Sequence, residues 1–281
     1  MLSIVDIKRE LGKNIYIFPL DISSIKANSI DLHASQYAWS MQTKKSLYNG
    51  IDRIIIPAHD TALIYSKEAI YVSNKIGGTY HSKVRLVSQG LGHIGTTLDA
   101  QYIGLSIIAI HNISDCSKDI LVGSEFVTII FNYLHSEDYK DTISHDNPPG
   151  HPSLIASFEG ISDFLQWEEK NRWCRSKTEL YLHMTESEEY KICKAQFKKE
   201  QITFNRKFWK NKVFKYLFII LVWVVLNCAL SIPAYFIDLG NISTFSVFVI
   251  EKFSIPLILS IIIPNLLTDI SVNKNAQKGP T

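Results

Sequence analysis

The sequence predicts an α+β membrane protein: a mainly-β domain over residues 1–155, a helical connector over 156–212, two C-terminal transmembrane helices over 213–270 and a tail over 271–281. Three observations predict it. Short β-branched and aromatic runs broken by turn residues fill the first half. A proline-free stretch rich in Glu, Lys, Gln and Leu follows. Two long apolar runs lie near the C-terminus.

The β elements come first. Ile54-Ile55-Ile56 runs up to Pro57, and Thr61 to Tyr65 alternates loosely. Val84 to Val87, Leu105 to His111 and Phe126 to Phe131 are rich in strand-forming residues. Gly77-Gly78, Gly90, Gly92 and Gly95 are read as turns. Many short strands at this spacing point to a compact barrel or sandwich.

The connector, Ser157 to Lys212, reads as two or three helices. Ser176 with Glu179, and Thr185 with Glu188, have the spacing of capping boxes. Bulky apolar residues recur without a strict heptad, so a long coiled coil is not expected. A helical stalk and a packed collar both fit.

The membrane segment rests on length. Tyr216 to Ile237 contains no charged side chain, enough residues to cross ~30 Å of hydrocarbon as a helix. The second run, Phe245 to Leu267, is interrupted by Glu251 and Lys252, which suit the first turns of a helix near the headgroups. Arg206, Lys207, Lys210, Lys212 and Lys215 precede the first run, Lys274 and Lys278 follow the second, and the loop between has no Lys or Arg. Positive flanks stay inside, so a multi-pass inner-membrane protein with both termini cytoplasmic is expected. The basic run Asn205 to Lys215 serves either as this topology signal or as a contact for anionic lipid.

Composition excludes several classes. The formal net charge is +2, so bulk charge gives no case for nucleic-acid binding. Cysteines 116, 174, 193 and 228 form no Cys-x-x-Cys pair and no His cluster has zinc spacing, so neither disulfides nor a metal is expected. Met1 to Leu20 carries early charges and no long apolar core, unlike a secretory signal. No phosphate-binding loop or nucleophile elbow is present.

Four segments, in order, carry a family resemblance: Ser29-Ile30-Asp31-Leu32, then Pro57 to Ile64, then Thr97-Leu98-Asp99-Ala100-Gln101-Tyr102-Ile103-Gly104 with Asn112 beyond it, then Gly123 to Phe131. They resemble the motifs of the dCTP deaminase/dUTPase superfamily over about residues 20 to 150. The resemblance implies a dUTPase-like distorted β-barrel that assembles as a homo-oligomer. A trimer with nucleotide sites between subunits is favoured, and the altered linker and membrane region leave a tetramer open. It implies that Asp99 positions water or sugar, that Tyr102 packs on the deoxyribose, and that Asp31 organises the site or its metal. Asp31 as a strand-end turn residue and Tyr102 as core packing remain the plain alternatives.

The departures matter more. Where the family has Arg-Ser-Ser-Leu-Ala, this chain has Lys83-Val84-Arg85-Leu86-Val87, without the phosphate-holding serines. Ala109 aligns with the deaminase catalytic Glu and neither donates nor accepts a proton. Thr128 aligns with the Gln that binds sugar or base, and Asp146 to Pro152 replaces the Gly-rich arm of dUTPases. Lys83 and Arg85, two apart on an expected strand, would share one face and reach one anion, or form a solvated basic face.

The ligand-binding set is therefore Asp31, Lys83, Arg85, Asp99, Tyr102 and Thr128, with no catalytic residue. No cofactor is expected, and Mg2+ would enter only with a bound nucleoside triphosphate. The leading expectation is an effector that binds a nucleotide or oligonucleotide, embeds in a lipid membrane and permeabilises it, as in antiphage defence. A membrane-anchored dUTPase-like pyrophosphatase and a purely structural oligomerisation module are the alternatives.

Overall fold

The computed structural model of the chain describes residues 1–135 and 155–204, with 207, 218 and 221. The described residues fall into two units, Met1–Gln201 and Ile202–Thr281. The first is mainly β with helices.

It opens with helix α1 (Ile4–Glu10), whose start is fixed by Ser3 and Asp6 bonding reciprocally to each other's backbone amides. Ten strands follow among the described residues: β1 (Ile15–Phe18), β2 (Ser29–Ser40), β3 (Arg53–Ile56), β4 (Thr61–Val72), β5 (Ile76–Ser82), β6 (Leu91–Gly92), β7 (Thr97–Leu98), β8 (Ile103–Asn112), β9 (Lys118–Leu121) and β10 (Glu125–Tyr133). Eight form one antiparallel sheet in the order β6-β8-β4-β2-β10-β5-β7, with β1 added on β4, while β3 and β9 pair separately.

One strand organises this sheet. Residues 29–33 of β2 pair with β10, and its later residues pair with β4. Register shifts interrupt β2 between Ala34 and Ala38, β4 between Tyr65 and Ala69, and β10 between Glu125 and Val127. Such irregularities bend a strand and increase its twist, so β2 carries the chain from one half of the sheet to the other. Inside lies the main core, built on Ile7, Ile17, Leu32, Ile64, Ile110, Phe126 and Phe131.

The sequence-based reading needs three corrections here. Val84–Val87 is a short helix, α2, and not a strand. Val87 N and Ser88 N bond to the carbonyls of Lys83 and Val84, and only Leu86 turns inward. Strand propensity describes a fit to a half-buried pleated surface, and Val84 and Val87 are exposed instead. Gly77-Gly78 is no turn but lies within β5, and Gly92 likewise lies within β6, paired with His111. A Cβ on Gly78 would stand 2.8 Å from the Ile130 carbonyl oxygen, so glycine admits the close approach of β10. Finally, Thr185 caps no helix: its hydroxyl bonds back to the carbonyls of Tyr181 and Leu182, and Ser187 accepts the Tyr190 amide.

The other proposed cap holds. Ser176 Oγ accepts the Glu179 amide at the start of α4 (Lys177–Glu186), which follows α3 (Ile161–Lys170) and a 3-10 turn at Arg172–Cys174. Residues 188–201 are helical as well. These helices are packed on the sheet. A second apolar cluster joins Trp39, Tyr65, Tyr71 and Leu105 of the strands to Phe158, Phe164, Trp173 and Leu180. Tyr65 and Phe164 stack with centroids 4.5 Å apart, and Trp39 Nε1 donates to the Glu159 carbonyl at 2.8 Å. This cover explains why β4 is buried on both faces over much of its length.

Among the described residues no helix is long and apolar enough to cross a membrane. The two runs read as spans lie outside the described residues, apart from Phe218 and Leu221.

Candidate functional site

Asp31 and Thr128 stand opposite one another on β2 and β10. One step further, His33 stands opposite Glu125. The bulge in β10 makes this patch. It turns both Phe126 and Val127 into the core, fully buried, and leaves Glu125 and Thr128 on the other face. Asp31 and His33, two apart on β2, share a face by ordinary strand periodicity.

Asp31 is only 2% exposed, and a buried carboxylate must be paired or hydrogen-bonded to be tolerated. Thr128 Oγ1 donates to its Oδ1 at 2.5 Å. Its Oδ2 has ion pairs with Lys83 Nζ at 2.7 Å and Lys26 Nζ at 3.6 Å. Lys83 comes from the junction of β5 and α2, Lys26 from the loop before β2. Both ammonium groups also hold Glu125: Lys83 Nζ lies 2.9 Å from Oε2 and Lys26 Nζ 3.2 Å from Oε1. Arg85 Nη2 donates to the Glu125 main-chain carbonyl at 3.3 Å.

These charges shift one another. Burial alone would lower the Lys83 pKa, but the Asp31 and Glu125 carboxylates outweigh it and raise it. Burial would raise that of Glu125, but Lys83 and Lys26 outweigh it and lower it. His33 is gripped by buried Glu68 from the irregularity in β4: Nδ1 lies 2.5 Å from Oε1, and the His33 amide donates to Oε2 at 3.0 Å. An ionised carboxylate only accepts, so Nδ1 is the donor. The Glu68 contact raises the His33 pKa against the effect of burial, helped by Asp21 and Glu125.

Asp31, Lys83, Arg85 and Thr128 are thus brought together, although Lys83 and Arg85 do not share a strand face as read from sequence. Asp99 and Tyr102 are elsewhere. They form the β7–β8 turn, closed by Tyr102 N donating to Asp99 O at 3.2 Å, with Gln101 at φ 64°. Thr128 also pairs with His81 on β5, whereas Leu98 pairs with Gly78, three residues along that strand. That is about 10 Å of strand, and Asp99 follows Leu98 at the end of the neighbouring strand β7. Asp99 is exposed. The Tyr102 ring packs against the main core and its hydroxyl donates to Leu105 O at 2.6 Å.

Lys26, His33, Glu68 and Glu125 were missed from sequence. The spacing of Asp31 and His33 was the available signal, since any polar pair two apart on a strand shares a face. Asn112 has a structural role: its Nδ2 donates to the carbonyls of Ile56, Pro57 and Cys116. Ala109 lies within β8, opposite Leu63. Among the described residues no group of three or more His, Cys, Asp or Glu is placed to hold a metal ion. Chemically, the patch offers two ammonium groups around two carboxylates, one buried and one partly exposed, with a guanidinium on the adjoining main-chain carbonyl.

Solved structures of dCTP deaminases and dUTPases are similar to this chain over about half its length. A 2'-deoxycytidine 5'-triphosphate deaminase from Agrobacterium tumefaciens matches at 13% identity, covering 48% of this chain and 48% of the deaminase, with a TM-score of 0.40. The chain therefore spans about half the length of that deaminase. The dUTPase of EIAV matches at 22% identity over 46% of this chain and 91% of its own, with a TM-score of 0.32. Staphylococcus bacteriophage 80alpha dUTPase with dUpNHpp matches at 12% identity over 48% and 90%, with a TM-score of 0.33. No family model matches the sequence, and no curated protein matches it.

Proposed function

We propose that this chain is a nucleotide-sensing membrane effector. Its mainly-β unit binds the phosphates of a nucleotide or oligonucleotide at Lys83 and Arg85, with Asp31 and Thr128 shaping the pocket floor. Asp99 and Tyr102 complete the site from a neighbouring copy in a homo-oligomer, a trimer in the favoured arrangement. The C-terminal hairpin then permeabilises the cytoplasmic membrane, a role suited to antiphage defence.

The observation that carries the reading is the convergence of Lys26, Lys83 and Arg85 on Glu125 beside a sheet face, while Ala109 stands where the resemblance expects an acid–base residue. Such a site offers electrostatic attraction to an anion without a proton-transfer group. For the membrane half, support comes from the uncharged run Tyr216 to Ile237. Phe218 and Leu221 are also both well exposed. A membrane-anchored pyrophosphatase remains a second reading, favoured by the exposed carboxylate of Asp99.

Calorimetry with dCTP and dUTP on the purified protein, with ammonia and pyrophosphate release followed in parallel, tests the first half. Binding without turnover supports the effector, turnover supports the enzyme, and neither leaves a structural module. A reporter fused after Gly240 tests the second half. It is expected outside the cytoplasm, and a cytoplasmic signal would remove the hairpin.

A further inference from the structure

We infer that Glu125 is a built-in competitor: its carboxylate occupies the place that a ligand's phosphate would take, and binding requires its displacement. The inference rests on the nucleotide reading of this cluster and adds a regulatory element to it.

Geometry is the first argument. The two oxygens of Glu125 are held by two different ammonium groups, Oε1 by Lys26 at 3.2 Å and Oε2 by Lys83 at 2.9 Å. A phosphate bridges a lysine pair in the same way, with its oxygens divided between two point charges. The Arg85 guanidinium is already beside the same residue, on its main-chain carbonyl. Glu125 therefore lies where three cations meet.

Mobility is the second. Glu125 is the first residue of β10, beside its bulge, and its side chain is 32% exposed. It can swing outward without uncovering the core, since Phe126 and Val127 supply the inward contacts. Asp31 has no such freedom, being mid-strand, 2% exposed and bonded by Thr128.

Charge is the third. With Glu125 in place, the two ammonium groups of Lys26 and Lys83 face two carboxylates; with it swung out, they face Asp31 alone, and Arg85 stays on the Glu125 main-chain carbonyl beside them. The vacated site would then attract a polyanion, and a single phosphate oxygen pair would take over both ammonium contacts. Affinity is lowered by the contacts that must first be broken, and partly exposed ion pairs of this kind are individually weak. Removing the competitor should therefore tighten binding roughly tenfold.

The test titrates pyrophosphate into the full-length protein in detergent, at low salt, for wild type, Glu125→Gln, Glu125→Asp, Glu125→Ala and Arg85→Glu. Thermal unfolding confirms that each is folded. The inference expects roughly tenfold tighter binding for Glu125→Gln, the same gain for Glu125→Ala if either variant alone folds, and near wild-type affinity for Glu125→Asp. Equal or weaker binding by the neutral variants overturns it. If Arg85→Glu weakens binding in that case, the nucleotide reading survives alone. If no variant and no wild-type protein binds the probe, both are overturned.

Discussion

The hydroxyl of Thr128 donates to the carboxylate of Asp31 at 2.5 Å, directly across β2 and β10. The two residues are far apart in sequence, and the bond satisfies a carboxylate oxygen sealed from water. Thr128→Val keeps the shape and removes the donor. It should destabilise the protein by about 1–3 kcal/mol, because a charged acceptor is left buried without that bond. Chemical denaturation measures it, and an unchanged midpoint would mean that water takes the donor's place.

His33 should give the fold a pH dependence. Its pKa is raised from 6.5, first by Glu68, with burial opposing and Asp21 and Glu125 adding to the rise. A raised histidine contributes stability that is fully present below pH 6.5 and is lost as the pH rises through its higher folded value. The thermal midpoint of wild type should fall over that window, and His33→Gln should flatten this part of the profile. Parallel curves for the two proteins would assign the pH dependence to other groups.

Arg85→Glu should weaken the binding of a phosphate-bearing ligand. Arg85 is exposed, so its charge is partly screened and the loss should be about tenfold. If, as proposed, a C-terminal membrane hairpin responds to ligand binding, leakage of dye from vesicles carrying the protein should change with it. Lost affinity with unchanged leakage would separate the pocket from the membrane segment.

Phe164→Ala should show that the helices belong to the folded unit. The side chain is fully buried and stacks on Tyr65, so its removal should cost about 3–5 kcal/mol. A loss below about 1 kcal/mol would indicate a site that closes by relaxation. Trp39 and Trp173 lie in the same cluster, which makes their fluorescence a convenient probe.

Much of the β framework was legible in the sequence. The runs Thr61 to Tyr65, Leu105 to His111 and Phe126 to Phe131 fall within β4, β8 and β10 because their branched and aromatic side chains fill a pleated, largely buried surface. Asp31, Lys83, Arg85 and Thr128 were named from sequence, Asp31 and Thr128 on aligned motif positions and Lys83 and Arg85 on a departure from one, and the fold brings these four near one another. Their true partners were not. Glu125 joins the patch only because a bulge breaks the two-residue period, and Glu68 only because β4 shifts register near it. Neither event leaves a local signature. Val84–Val87 misled because composition cannot say whether a valine finds a neighbouring strand or faces solvent.

The double service of β2 has a mechanical side. Asp31 and His33 sit on its first half, and Trp39, whose indole holds the carbonyl of Glu159 just ahead of α3, sits on its second. From Asp31 to Trp39 the strand passes through its irregularity between Ala34 and Ala38, with β10 pairing before it and β4 on either side. β2 is therefore a tie rod. A pull at the charged patch reaches the helical cover through one continuous covalent strand, without relay through loops.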